Sequence, residues 1–231
     1  LALSLFRFGW EVNLIGKHCC FDFEFFWDAV RNFAGGGHLY VRDLNAYTPG
    51  AAIYKFPPFF AAPLLVFARL GIDQAILTVN LWLQVGMYMA TMVLLQLSLM
   101  ASLLGWASIP LWIVALNHGP FFETLIGLQA ETPILFLLTI AAVLFQRKRD
   151  GMAGAALGLA AALKLYPVLM LAYLIAARRW RAVTGFAAGI AVALIIGLLC
   201  FGINENLEYF FRILPHMAGE PIVGFRSENL S

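Results

Sequence analysis

An all-α, polytopic membrane helix bundle is the fold class this sequence predicts, and three observations predict it. Hydrophobic residues fill 62% of the 231 positions and charged residues only 12%, whereas about one-quarter of a soluble domain is charged. No charged side chain occurs between Asp73 and Glu123, a stretch long enough for two crossings at about 20 residues each. The basic residues of the second half gather in Arg147-Lys148-Arg149 and Arg178-Arg179-Trp180-Arg181, the bunching that cytoplasmic loops show. A net charge of only +2 supplies no global basic field, so no nucleic-acid partner is expected and the membrane is. Cys19, Cys20 and Cys200 make neither a metal-ligand pattern nor a disulfide framework.

Residues 1–16 read as the stump of a first span. The opening Leu1-Ala2-Leu3-Ser4-Leu5-Phe6 run is too short to cross, and no basic leader or cleavage site marks a signal peptide. The chain starts at Leu1 rather than Met and stops at polar Ser227-Glu228-Asn229-Leu230-Ser231, so a fragment is expected, forming a single membrane domain over 1–231. Residues 17–73 are expected to be an extracytoplasmic first loop carrying interfacial helices. One is the aromatic and acidic segment from Phe21; the other is Phe56 to Leu70, which is short, holds Pro57, Pro58 and Pro63, and ends at Arg69.

About five further crossings are expected over 74–202. Apolar runs at 75–98 and 103–117 share a turn near Ser98 to Gly105, another occupies 130–146, and the last runs from Ala182 to Gly202. Residues 151–177 carry Lys164 as their one charge, followed by Pro167. One straight helix from Arg149 to Arg178 would be roughly 40 Å long, against a hydrocarbon core of about 30 Å. It would also separate the two basic clusters onto opposite faces. A broken hairpin turning at Lys164-Leu165-Tyr166-Pro167 keeps both clusters cytoplasmic. Residues 203–231 then form an extracytoplasmic segment.

Chemistry is expected in a few places. Phe21-Asp22-Phe23-Glu24-Phe25-Phe26-Trp27-Asp28 holds carboxylates among aromatics that settle at headgroup level. Asp22 or Glu24 there could serve as a general base toward a surface-borne hydroxyl; the plainer reading is an amphipathic surface helix with solvated acids. Lys164, an ionisable group inside an apolar segment, is a functional candidate that could meet the phosphate of a lipid carrier. It could equally snorkel to the interface or pair structurally with an acid such as Glu131. Tyr54 and Lys55 at the start of the interfacial helix, and Gln129 and Glu131 at the mouth of a span, are donor or acceptor contacts or ordinary helix starts. Gly35-Gly36-Gly37 reads as a flexible turn, and His18, His38, His118 and His216 lack metal-ligand spacing.

In order and spacing these pieces resemble glycosyltransferase family 87. They are Asp22-Phe23 with its aromatic helix, the Gly-rich turn with Leu39-Tyr40, Tyr54-Lys55-Phe56-Pro57-Pro58 and the Pro-bearing stretch after it, and Gly158-Leu159-Ala160-Ala161-Ala162-Leu163-Lys164-Leu165-Tyr166-Pro167. The resemblance covers nearly the whole chain but only about the N-terminal half of a typical member. It implies a GT-C fold and an inverting alpha-mannosyltransferase of the bacterial plasma membrane, multi-pass, with its active site outside. It implies a polyprenyl-phosphate-linked sugar as donor and a lipid or glycan hydroxyl as acceptor. Asp22 matches the general base, and Lys164, Tyr166 and Lys55 become donor-phosphate contacts. Glu24, Tyr54, Gln129 and Glu131 are further candidates. No cofactor and no metal site are expected, with a divalent cation left open. Two other classes fit the residues: a transporter or flippase fragment with a buried lysine at a helix break, and a non-catalytic membrane subunit.

Overall fold

The computed structural model describes residues 1–18, 21–47, 53–71, 76–99, 108–127 and 129–219. Among these residues every regular element is helical. Eleven α-helices are described: α1 Ala2–His18, α2 Phe21–Ala34, α3 Ala62–Leu70, α4 Ile76–Leu99, α5 Ile109–Leu116, α6 Gly119–Gly127, α7 Glu131–Gln146, α8 Asp150–Leu163, α9 Leu169–Ala176, α10 Trp180–Glu208 and α11 Leu214–Gly219. Two helical stretches are long and apolar enough to cross a membrane, Ile76–Ser98 and Trp180–Met217. Pro58–Leu70, Glu131–Gln146, Asp150–Leu163 and Tyr166–Ala176 are shorter apolar helices. The crossing expected at 103–117 is described only as α5 and its approach, because residues 100–107 lie outside the described ones. The last apolar helix continues past its expected limit to Glu208, with Gly202 at φ 74° and ψ 177° interrupting it where the apolar run ends.

The chain divides into two compact units, Leu1–Phe23 with Ile72–Leu194, and Glu24–Gly71 with Ile195–Ser231. In the first, α4 packs on α7 and α7 on α8. Two hydroxyls deep within these apolar helices are satisfied by their own backbone: Thr91 donates to the Met87 carbonyl and Thr139 to that of Leu135, both at 2.9 Å. Hydrocarbon offers no other partner, so that economy suits a membrane helix.

α8 ends at Leu163 for a local reason. Pro167 cannot donate to the Leu163 carbonyl four residues back, and its ring would strike it. Lys164 accordingly leaves the helix in an extended conformation, φ −143° and ψ 147°, and a short 3-10 turn, Tyr166–Val168, leads into α9. The chain then doubles back. Arg179, just after α9, lies 3.8 Å from the Asp150 carboxylate at the start of α8, with its guanidinium 5.0 Å from the Phe145 ring centroid. Leu174 of α9 joins Ala141, Ala156, Leu157, Ala161, Ala182 and Phe186 in one buried cluster. The two basic turns therefore share one end of this unit, and Lys164 stands at the other end of α8.

α8 and α10 run side by side through small residues. A Cβ on Gly154 would run into the Ala182 carbonyl and one on Gly158 into that of Phe186; Gly185 and Gly189 face the carbonyls of Gly151 and Ala155 in the same way. Such backbone-to-backbone approach replaces the hydrophobic drive that lipid removes.

The second unit is built on aromatics. Phe26 of α2 meets Tyr54, Phe56 and Phe60 edge-on at centroid distances of 5.8, 5.0 and 5.9 Å, the geometry that ring quadrupoles favour. α2 ends in the triple glycine, where Gly36 takes φ +91° and Gly37 donates to the Asn32 carbonyl. A side chain at Gly36 would be strained in that left-handed region.

Candidate functional site

Four of the candidate residues gather in the first unit. Glu131 opens α7, where the helix dipole favours a carboxylate. Its Oε1 accepts a charge-assisted hydrogen bond from the Lys164 Nζ. The pair is assembled by antiparallel packing of α7 and α8, which brings the first residue of one beside the residue that ends the other. Neither side chain is sealed off: Lys164 is 32% and Glu131 37% exposed. Glu131 Oε2 is nonetheless buried and has no hydrogen-bond partner among the described residues, which leaves a carboxylate oxygen to receive a donor from elsewhere. Tyr166, exposed and two residues past Lys164, lies within electrostatic reach of Glu131. Gln129 ends the preceding loop, its backbone N–H donating to the Thr124 carbonyl at 3.2 Å. A cation and a carboxylate with a spare lone pair thus meet where two helices end, with a phenol in electrostatic reach. That set can bind a phosphate and sugar hydroxyls together.

Asp22 is the second residue of α2 and also belongs to the first unit; its side chain lies outside the described part of the structure. Glu24, Tyr54 and Lys55 belong to the second unit. Glu24 is exposed. Tyr54 is buried, and its hydroxyl donates to the Pro57 carbonyl at 2.9 Å, so it serves the aromatic core. Burial pushes the Tyr40 and Tyr54 phenols well above their ordinary range. It pushes Tyr47 up to about 12.

The second unit holds a group that sequence reasoning passed over. Glu205, 6% exposed, accepts from the His38 Nδ1 at 3.0 Å and from the Leu39 N–H at 3.2 Å. Arg42 donates to the His38 Nε2 at 2.6 Å, so the network assigns the imidazole proton to Nδ1. Beside it a cleft of about 320 Å³ is lined by Phe25, Asp28, Asn32, His38, Tyr40 and Tyr54. Asp28 and Asn32 stand one helical turn apart over aromatic walls, a surface suited to saccharide hydroxyls. Its sequence signal was the i, i+4 spacing of Asp28 and Asn32, submerged in an aromatic run. Among the described residues no group of three His, Cys, Asp or Glu could hold a metal.

An all-helical chain with membrane-length apolar helices and an ion pair at a helix break defines a class, a membrane-associated helical protein with a polar site at a helix end. The chain belongs to glycosyltransferase family 87, whose family model matches residues 54–231. Its class of activity is therefore glycosyl transfer, with a sugar donor and an acceptor as substrates, rather than transport. The match includes Tyr54, Lys55, Gln129, Glu131, Lys164 and Tyr166, while Asp22 and Glu24 precede it. No curated protein and no solved structure matches the chain.

Proposed function

We propose that this chain is an inverting membrane hexosyltransferase of GT-C type that moves mannose from a polyprenyl-phosphate donor to a hydroxyl on the outer face of the bacterial plasma membrane. The observation that carries the reading is the Lys164–Glu131 pair at the far end of α8 from the basic turns. α8 has 14 residues, so about 21 Å separate the two ends. With the basic turns at the cytoplasmic surface, Lys164 stands two-thirds of the way across a core of about 30 Å. That depth suits the phosphate of a lipid-linked donor whose chain stays in the bilayer.

In the proposed step the acceptor oxygen forms a bond to the anomeric carbon as the bond from that carbon to the phosphate oxygen breaks. Asp22 receives the acceptor's proton. Lys164 and Tyr166 stabilise the charge left on polyprenyl phosphate. The spare oxygen of Glu131 orients a sugar hydroxyl.

Supplying the intact protein in nanodiscs with polyprenyl-phosphate-mannose or with a nucleotide-linked mannose tests the reading. Mannose should move from the lipid-linked donor alone, with inverted anomeric configuration in the product. Transfer from the nucleotide sugar, or retained configuration, would overturn it.

A further inference from the structure

The two basic turns share a backbone design. In the first, the Lys148 N–H donates to the Phe145 carbonyl at 3.0 Å and the Arg149 N–H to the Leu144 carbonyl at 2.9 Å; in the second, Arg178 donates to Ile175 at 3.0 Å and Arg179 to Leu174 at 2.9 Å. Each is a helix end closed through a left-handed residue, the position that glycine ordinarily fills. Here that residue is a cation both times, Lys148 at φ 57° and Arg178 at φ 53°. Attraction to the helix C-terminus is at most comparable to the penalty of a left-handed side chain, so it does not by itself favour lysine or arginine over glycine. Orientation by cytoplasmic charge needs cations somewhere in the loops, not at the strained position of both.

The turns also sit side by side. Arg179 bridges them through Asp150 and Phe145, and a Cβ on Gly151 would lie 3.7 Å from the Arg181 carbonyl. Arg147, Lys148, Arg149, Arg178 and Arg181 are exposed around that bridge. Among the described residues none of these five has a carboxylate partner; Asp150 is used on Arg179. Exposed Trp180 opens the longest apolar helix between them, and tryptophan marks the headgroup level of a membrane.

We propose that the paired turns form a binding site for the phosphate headgroup of an anionic phospholipid in the leaflet opposite Lys164, with Lys148 and Arg178 as its two arms. Charge complementarity at headgroup depth selects this occupant, since basic pockets between membrane helices bind such headgroups. The inference is independent of the transfer reaction.

The test uses a variant that relaxes the backbone instead of straining it. Lys148→Gly with Arg178→Gly places glycine at both left-handed positions, so the fold should persist, as melting in neutral-lipid nanodiscs reports. The remaining arginines keep the orientation. Each cation near an anionic surface contributes about a fivefold factor, so phosphatidylglycerol retained on the purified protein, counted by native mass spectrometry, should fall roughly tenfold or more. The control Arg42→Gln with Arg69→Gln removes two cations from the second unit and should retain phosphatidylglycerol as the parent does. Undiminished retention in the glycine variant, or equal loss in the control, would overturn the site. Stabilisation of the parent by soluble glycerol phosphate as strong as that by phosphatidylglycerol would overturn the assignment to a lipid.

Discussion

Lys164 and Glu131 are 33 positions apart in sequence and joined by one charge-assisted hydrogen bond. Two helix ends produce the contact: Pro167 stops α8 at Leu163, and Glu131 supplies the first turn of α7 with its acid. The partnership explains how an apolar helix tolerates a cation at its end. It also holds the lysine in place through a carboxylate that a proposed donor phosphate would displace.

Asp22→Asn should abolish glycosyl transfer while leaving membrane insertion intact, because a neutral amide cannot accept the acceptor's proton. Turnover from the lipid-linked donor, measured at equal amounts of inserted protein, checks it. Activity within about tenfold of the parent would remove Asp22 as base and make Glu24 the next carboxylate to test.

Gly158→Leu should loosen the first unit. Its Cβ would run into the Phe186 carbonyl, which is backbone and cannot swing aside, so α8 and α10 must separate. Overpacking of this kind costs roughly 1–3 kcal/mol, sometimes more. A lowered melting temperature in detergent is expected, and Ala162→Leu, at a half-buried position on the same helix, should cost less.

The second unit should resist alkali up to a definite limit. Tyr47 titrates at about 12 when folded, against an ordinary 10.0, because burial disfavours its phenolate. The unfolded chain therefore releases this proton first as pH rises. The contribution to stability is full below pH 10 and is lost as pH rises through about 12. Tyrosinate absorbance followed against pH should show a delayed fraction, and Tyr47→Phe should shrink it.

Membrane orientation can be read with single cysteines in a background lacking Cys19, Cys20 and Cys200. Gly35 and Gly151 accept a side chain, with nearest atoms at 3.5 and 3.7 Å. An impermeant thiol reagent should label Gly35→Cys from outside and spare Gly151→Cys. The reverse pattern, or equal labelling, would show that Phe56 to Leu70 is not an interfacial helix.

What the sequence revealed depended on whether a signal was local. The uncharged run at 75–98 and the apolar run at 130–146 lie within two residues of α4 and α7, because Asp73 precedes the first and Glu131 and Arg147 bracket the second. The break at Lys164 was legible because proline acts on its own neighbours. The α8–α10 contact was not: both helices are apolar all round, so periodicity names no face, and only Gly151, Gly154, Gly158, Gly185 and Gly189 betray the close approach. His38 and Glu205 were hidden by a separation of 167 positions in sequence. Residues 203–231 were expected only as an extracytoplasmic segment, and nothing local in the sequence announced that Glu205, just past the kink at Gly202, is buried.

The most direct measurement of the central claim is donor turnover and donor affinity in Lys164→Met and Lys164→Arg, each in nanodiscs with polyprenyl-phosphate-mannose. If Lys164 is the counter-charge to the donor phosphate, arginine keeps partial activity, while methionine loses transfer and weakens donor binding. If the lysine only balances Glu131 within the fold, the methionine variant turns over and binds donor as the parent does, and that result would contradict the account.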